Sequence, residues 1–279
     1  MRIAIASGKG GTGKTTFATN LAFVVAAAGK RVQYVDCDVE EPNGHIFLRP
    51  EIVWKEAATV ATPAVDTARC TGCGACGRMC QYSAIVALKG AALVFEQLCH
   101  SCGGCVRVCP VGAITEKPKV IGQVEEGVGR GVRFVQGRLE IGDVRTPALI
   151  KQVKRRIEDG AAAIVDAPPG TTCPVVETVR DADYVVLVTE PTPFGLHDLK
   201  LAVAMVRRLG KAFSVVINRS GSGDDGVKRF CGDEGIGVLM ELADDRRIAE
   251  AYSSGRMAAE ALPEYRGCFE EAARSLGIL

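Results

Sequence analysis

Two groups of residues have the types and spacing to do chemistry. The first is "GKGGTGKTT", residues 8–16. It satisfies the pattern G-x-x-x-x-G-K-[ST], in which glycines let successive backbone N–H groups turn toward phosphate oxygens at the positive end of the following helix. Lys14 is placed to bridge β- and γ-phosphates, and the Thr15 hydroxyl to ligate Mg²⁺. Gly8, Lys9, Gly10, Gly11, Thr12, Gly13, Lys14, Thr15 and Thr16 are therefore the candidate nucleotide-binding set. Lys9, five residues before Lys14, is a second lysine that such a loop does not ordinarily need.

The second group is a set of thiols. Of twelve cysteines, eight lie between Cys70 and Cys109, in the runs "CTGCGACGRMC" and "CHSCGGCVRVC". Both have C-x₂-C-x₂-C-x₃-C spacing, and a uniform shift of 29 (99 − 70 = 29) carries one onto the other and "SAI" at 83–85 onto "GAI" at 112–114. Clustering of this kind points to metal and not to a disulfide framework. Three thiolates two residues apart on a tight loop hold three corners of an iron–sulfur cube, and the fourth cysteine ligates the other cluster. Cluster one then takes Cys70, Cys73, Cys76 and Cys109; cluster two takes Cys99, Cys102, Cys105 and Cys80. Zinc is the competing reading, since thiolate pairs also build Cys₄ sites, and two complete tandem runs weigh against it.

The phosphate loop resembles the deviant Walker A motif, "KGGxGK[ST]", of the MinD superfamily of ATPases, which includes ParA, nitrogenase iron protein and Mrp-type cluster carriers. That resemblance implies a homodimer in which Lys9 crosses to phosphate bound by the partner and stabilises the γ-phosphate transition state. "YVDCDVEEPN" places Asp36 and Asp38 at the end of the second strand, both carboxylates on one face and Cys37 on the other. By resemblance this is the first switch, one of the two positioning or activating the attacking water. Asp38 is favoured, though sequence does not separate them. "AAIVDAPPG" looks like a Walker B strand, so Asp166, with Thr15 and Asp36, becomes an Mg²⁺ residue, and Gly170 a switch whose N–H senses γ-phosphate. Asn218 in "VVINR" matches the family's adenine-recognising asparagine, with a plain strand-end turn as the alternative.

The cysteine segment looks like a bacterial two-[4Fe–4S] ferredoxin. It departs from that pattern at Gln81, where proline is expected, as Pro110 stands in the second run. Cys37, Cys173, Cys231 and Cys268 remain. Cys173 follows Asp166 by seven residues, as the cluster-bridging cysteine does in nitrogenase iron protein. The stretch "EGVGRGV" (126–132) offers no second ligand, and the C-terminal CxxC of the Mrp-type carriers is missing. Cys173 is therefore read as a small, partly buried packing residue. His45, His100 and His197 are scattered, and His100, beside Cys99, is read as a surface residue.

These residues need elements to position them. "IAIAS" (3–7), 31–36, 162–167, 184–190 and 213–218 read as strands buried on both faces. Helices are expected near 14–28, 147–159, 174–181, 195–209, 224–234, 244–253 and 264–276. The alternation predicts an α/β P-loop NTPase with a mostly parallel sheet and helices on both faces. A small α+β ferredoxin-like insert interrupts it: residues 1–60 and 119–279 form the ATPase domain and 61–118 the insert. The strand-like stretches 52–60 and 132–141 could belong to either body. With 47% hydrophobic and 24% charged residues and a net charge of +1, neither a nucleic-acid nor a membrane partner is expected. The C-terminal "FEEAARSLGIL" lacks the basic amphipathic character of a membrane helix. A cytoplasmic location is expected.

Taken together, the chain resembles MinD-superfamily ATPases carrying an inserted ferredoxin. The implied cofactors are ATP, Mg²⁺ and two [4Fe–4S] clusters. The implied function is ATP hydrolysis coupled to the ferredoxin, as a gate on electron transfer to a redox partner. The alternatives are delivery of an iron–sulfur or metal cofactor to an apo-protein, and a redox-sensing positioning ATPase.

Overall fold

The computed structural model describes residues 1–88 and 90–279. Its chain order is β1 (Arg2–Ala6), α1 (Lys14–Ala27), β2 (Val32–Asp36), α2 (Gly44–Leu48), β3 (Glu51–Val65), α3 (Ala75–Met79), β4 (Ile85–Leu88), β5 (Ala91–Val94), α4 (Gly104–Arg107), β6 (Ile114–Gly129), β7 (Val132–Leu139) and α5 (Thr146–Lys154). It continues through β8 (Ala162–Asp166), α6 (Cys173–Val179), β9 (Tyr184–Thr189), α7 (Pro193–Arg208), β10 (Ala212–Ser220), α8 (Gly226–Asp233), β11 (Val238–Ala243), α9 (Arg246–Ser253), α10 (Ala258–Ala261) and α11 (Pro263–Ser275). Two compact units emerge. One comprises 1–55, 124–138 and 150–279; the other comprises 56–123 and 139–149.

The large sheet has the order β11-β10-β9-β1-β8-β2-β7-β6-β3. β1 runs parallel to β8 and β9, and β2 parallel to β7 and β8. The apolar runs bury both strand faces. Ile3 and Ile5 pack with Phe17 and Leu21 of α1 and Phe269 and Ala272 of α11, whereas Ala4 and Ala6 pack with Val175 of α6 and Leu199 and Val203 of α7. Period-two alternation along β1 thus sends successive side chains into two cores, which requires helices on both faces. Parallel registration sets Ile5, Asp166, Asp36 and Gln136 level across four strands. The predicted α/β fold with helices on both faces is what forms.

The second unit has a much thinner apolar interior. Cys76, Ile85, Ala92 and Ile114 are buried together, with Val65, Val94, Val106, Cys70, Cys80, Cys105 and Cys109 packed against them. β4 and β5 form an antiparallel pair. α3 and α4 sit 29 residues apart, so the sequence repeat is also a structural one. The segment 61–118 falls within this unit, and 132–139 belongs to the large sheet as β7.

Several elements differ from expectation. β3 and β6 are 15 and 16 residues long; β3 contains the strand-like stretch 52–60 and runs on to Val65, whereas the many exposed polar positions of β6 hid it from a search for buried strands. β11 at the sheet edge lacks the β-branched run of its neighbours. α2 and α10 are too short for a helical period to register. α5 ends at Lys154 instead of continuing to 159; the chain passes through short turns at Arg156 and Ile157 to Gly160 at φ 78°.

Candidate nucleotide site and two cysteine-lined cavities

The phosphate loop joins β1 to α1. Gly11 and Gly13 have φ of 77° and 93°, left-handed values that favour glycine. Gly13 also has no room for a side chain, because a Cβ there would lie 2.3 Å from the Asn218 amide nitrogen. A Cβ on Gly8 would meet the Asp198 carbonyl at 2.2 Å. Thr12 Oγ1 is buried without a hydrogen-bond partner among the described residues.

The acidic residues converge beneath this loop. Asp166 Oδ2 accepts hydrogen bonds from the Thr15 hydroxyl at 2.6 Å and the Tyr34 hydroxyl at 2.8 Å, and Asp166 Oδ1 is buried without a partner among the described residues. Asp36 Oδ1 accepts from the Asp38 N–H at 3.1 Å and Oδ2 from the Gly44 N–H at 3.0 Å. Gly44 is needed for that approach, since a Cβ there would sit 2.2 Å from the Tyr34 ring. Asp38 and Lys14 complete the group.

The electrostatics follow from burial and crowding. Burial pushes Asp36 and Asp166 up, and the Asp166 charge raises Asp36 further. Asp38 is pushed up to about 6, by burial first and then by Asp166, with Lys14 pulling the other way. Burial holds Lys14 below its ordinary value against the pull of all three carboxylates. With all three ionised, the carboxylates facing one ammonium would leave two negative charges uncompensated. Hard oxygen donors, an orphaned carboxylate oxygen and that excess charge fit Mg²⁺. Cys37 is buried on the opposite side, within hydrogen-bonding reach of Thr178.

The remaining candidates surround this centre. The Lys9 ammonium lies 3.5 Å from Glu190 Oε2, while Arg219 lies 2.8 Å from Glu190 Oε1. Asn218 donates from Nδ2 to the Thr12 carbonyl at 2.9 Å and so braces the loop. The Gly170 N–H donates to the Ser7 carbonyl at 3.1 Å, and Gly170 has φ 96°. Cys173 is exposed at the first position of α6, which corrects the expectation of partial burial; the helix turns its buried side through Val175 and Val179 instead. Tyr34, Gly44 and Glu190 escaped the sequence reading. Tyr34 looks like any apolar strand residue, and Glu190 carries no motif. Only its position at the end of a buried strand could have flagged it.

In the second unit the eight thiols separate into two cavities. Cys70, Cys73, Cys76 and Cys109 line one, with Gly72, Gly74 and Pro110. Cys80, Cys99, Cys102 and Cys105 line the other, with Tyr82, His100 and Ser101. The fourth cysteine of each run thus faces the cavity of the other run. Cys99 Sγ accepts the Ser101 N–H at 3.4 Å, and Cys109 Sγ accepts the Ala113 N–H at 3.2 Å. No group of three or more His, Cys, Asp or Glu closes on a single ion among the described residues; the thiols ring spaces and not points. A cubane takes one sulfur at each of its irons, so a ring of soft donors around a space fits it. Where Gln81 replaces proline, Tyr82 stacks on His100 at 3.6 Å between ring centroids, so His100 is part of the second cavity's wall.

An uncharacterised protein of Methanocaldococcus jannaschii, MJ0579, is 30% identical over 264 residues, covering 91% of this chain and 90% of that protein. The septum site-determining protein MinD from Pyrococcus horikoshii, solved with Mg-ADP, has a similar fold, with a TM-score of 0.62 at 19% identity over 99% of this chain and 95% of that one. A short stretch of 46 residues, 16% of each chain, is 51% identical to an iron–sulfur cluster carrier protein of Pseudomonas fragi. No helix among the described residues is long and apolar enough to cross a membrane. The CobQ/CobB/MinD/ParA nucleotide-binding domain matches residues 3–258, and the chain belongs to that family.

Proposed function

We propose that the chain is a Mg²⁺-dependent, homodimeric ATPase that couples its nucleotide state to a ferredoxin-like insert, residues 61–118, with two [4Fe–4S] clusters, and so gates electron transfer to a partner protein. The observation that carries the second half is the sorting of the eight thiols, with Cys80 and Cys109 exchanged, around two separate cavities. When bound, each cluster supplies a one-electron redox centre.

The roles proposed in the nucleotide site rest on the family resemblance and are compatible with its geometry. The loop N–H groups and Lys14 hold the phosphates, and Thr15 and Asp166 hold Mg²⁺, with Asp36 fixed behind them by Gly44 and Asp38. Asp38, with its carboxyl at about 6, is ionised at neutral pH and basic enough to take a proton from the attacking water. Lys9 leaves Glu190 to reach phosphate on the partner subunit. Gly170 gives up the Ser7 carbonyl when its N–H turns to γ-phosphate, and Asn218 reads the base from beside the loop.

The test is Lys9→Ala. Hydrolysis should fall to background while MgATP binding stays measurable; normal turnover would defeat the sandwich-dimer reading. Anaerobic reconstitution should yield two [4Fe–4S] clusters per chain by iron and sulfide analysis. Cofactor delivery to an apo-protein is the second reading, favoured by the short match to a cluster carrier. Loss of iron during ATP turnover would select it over electron transfer.

A further inference from the structure

The 29-residue repeat gives the two cavities matched walls, and one position breaks the match. Gly72 lines the first cavity, and its repeat mate Ser101 (101 − 72 = 29) lines the second. Both hold the same left-handed turn, with φ of 68° and 56°, a conformation that glycine adopts freely and serine does not. The reverse swap, Ser83 for Gly112, also sits at positive φ, 52° and 59°, but neither of those residues lines either of these two cavities. The Ser101 hydroxyl is buried without a hydrogen-bond partner among the described residues. Such a group costs stability unless something accepts its proton. Its own backbone N–H is already donated to Cys99 Sγ.

We infer that the Ser101 hydroxyl donates a hydrogen bond to a sulfur of the second cluster and raises that cluster's reduction potential, an influence the first cluster lacks at Gly72. The inference rests on the cluster reading above. A donor aimed at sulfur stabilises the state carrying one more electron, and hydrogen bonds and solvent exposure are the main protein contributions to cluster potential. Exposure does not separate the two sites. Each set has one buried thiol (Cys76, Cys99), one exposed thiol (Cys73, Cys102) and two half-buried ones. Reduction adds one electron from the external donor; the hydroxyl keeps its proton, and no bond forms or breaks. Glu116 also lines the second cavity, but it is exposed and is common to every variant compared.

The experiment is an anaerobic dithionite titration of the reconstituted full chain followed by EPR, after iron and sulfide analysis. Cys80→Ser identifies the second cluster's signal. Ser101→Ala and Ser101→Gly should each lower the reduced-to-oxidised ratio of the second cluster about tenfold at fixed potential, about 59 mV for a one-electron couple. The first cluster should not move, and Ser83→Ala, at an equally strained backbone position, should move neither. Unchanged potentials, or equal shifts in both clusters, overturn the inference while leaving the cluster reading intact. A wild-type chain that assembles no clusters overturns both. Should Ser101→Ala fail to hold the second cluster, Ser101→Gly, which relieves the backbone, carries the same comparison.

Discussion

Removing the charge of Asp38 should stabilise the ligand-free protein while abolishing its turnover. The carboxyl is pushed from 3.8 up to about 6, about two pK units, and each unit is worth about 1.36 kcal/mol. The ionised carboxylate therefore costs the folded state up to about 3 kcal/mol at neutral pH. That shift is already net of the opposing pull of Lys14, so Asp38→Asn should gain up to about 3 kcal/mol. The sign is set by linkage. A raised carboxyl binds protons more tightly in the folded state, so its penalty is full above about pH 6 and gone near pH 4, the unfolded range. Denaturant unfolding followed by the single tryptophan measures this. Trp54 lies in β3 with the Arg156 guanidinium 4.1 Å above its ring, both in the first unit. The variant should be more stable at pH 7.5, equal near pH 4, and should lose its advantage in saturating MgATP, where the cation already offsets the repulsion. A variant that is no more stable at pH 7.5, or whose advantage persists at pH 4, refutes the charge-crowding argument.

Gly13→Ala should cost about 1–3 kcal/mol from its positive φ alone, and the contact with Asn218 should abolish nucleotide binding, read by calorimetry with MgATP. Glu190→Gln releases Lys9 from its intrasubunit partner and should shift MgATP-dependent dimerisation to lower protein concentration by a few-fold, measured by light scattering; no shift would mean the pair does not restrain Lys9. Cys109→Ser should damage the cluster held by Cys70, Cys73 and Cys76, and Cys80→Ser the other, with EPR distinguishing them; the opposite pairing would reject crossed ligation.

The parts most legible in the sequence were those whose chemistry demands fixed spacing. A loop that wraps phosphate must place Gly13, Lys14 and Thr15 in sequence, so local order alone reveals it. The cysteine runs are similar, and even the exchange of Cys80 and Cys109 is encoded in the x₃ step. What depends on approach between distant segments was hidden. Tyr34 reaches Asp166 only because β2 and β8 are in register, and it fits only because Gly44 leaves space. Glu190 meets Lys9 and Arg219 from three separate strand ends. Cys173 was misjudged because helix phase, not neighbouring residues, decides which side of α6 is buried.

If the proposed function holds, both units of the chain are incomplete alone. In the first unit three carboxylates crowd one buried lysine, an arrangement that burial makes costly and that a divalent cation with phosphate would relieve. In the second, Cys76 is buried with Ile85, Ala92 and Ile114, and four more thiols pack against them, so sulfur takes places that a small domain needs for apolar side chains. On the proposed function, folding free energy in each unit is tied to a guest: the nucleotide in one, the clusters in the other. A ligand that binds only the folded form adds stability as its logarithm of concentration over Kd. The larger transition of the chain should thus rise with MgATP and the smaller with bound iron. On that reading the two sites are distinguishable by which unit of the protein each guest would stabilise.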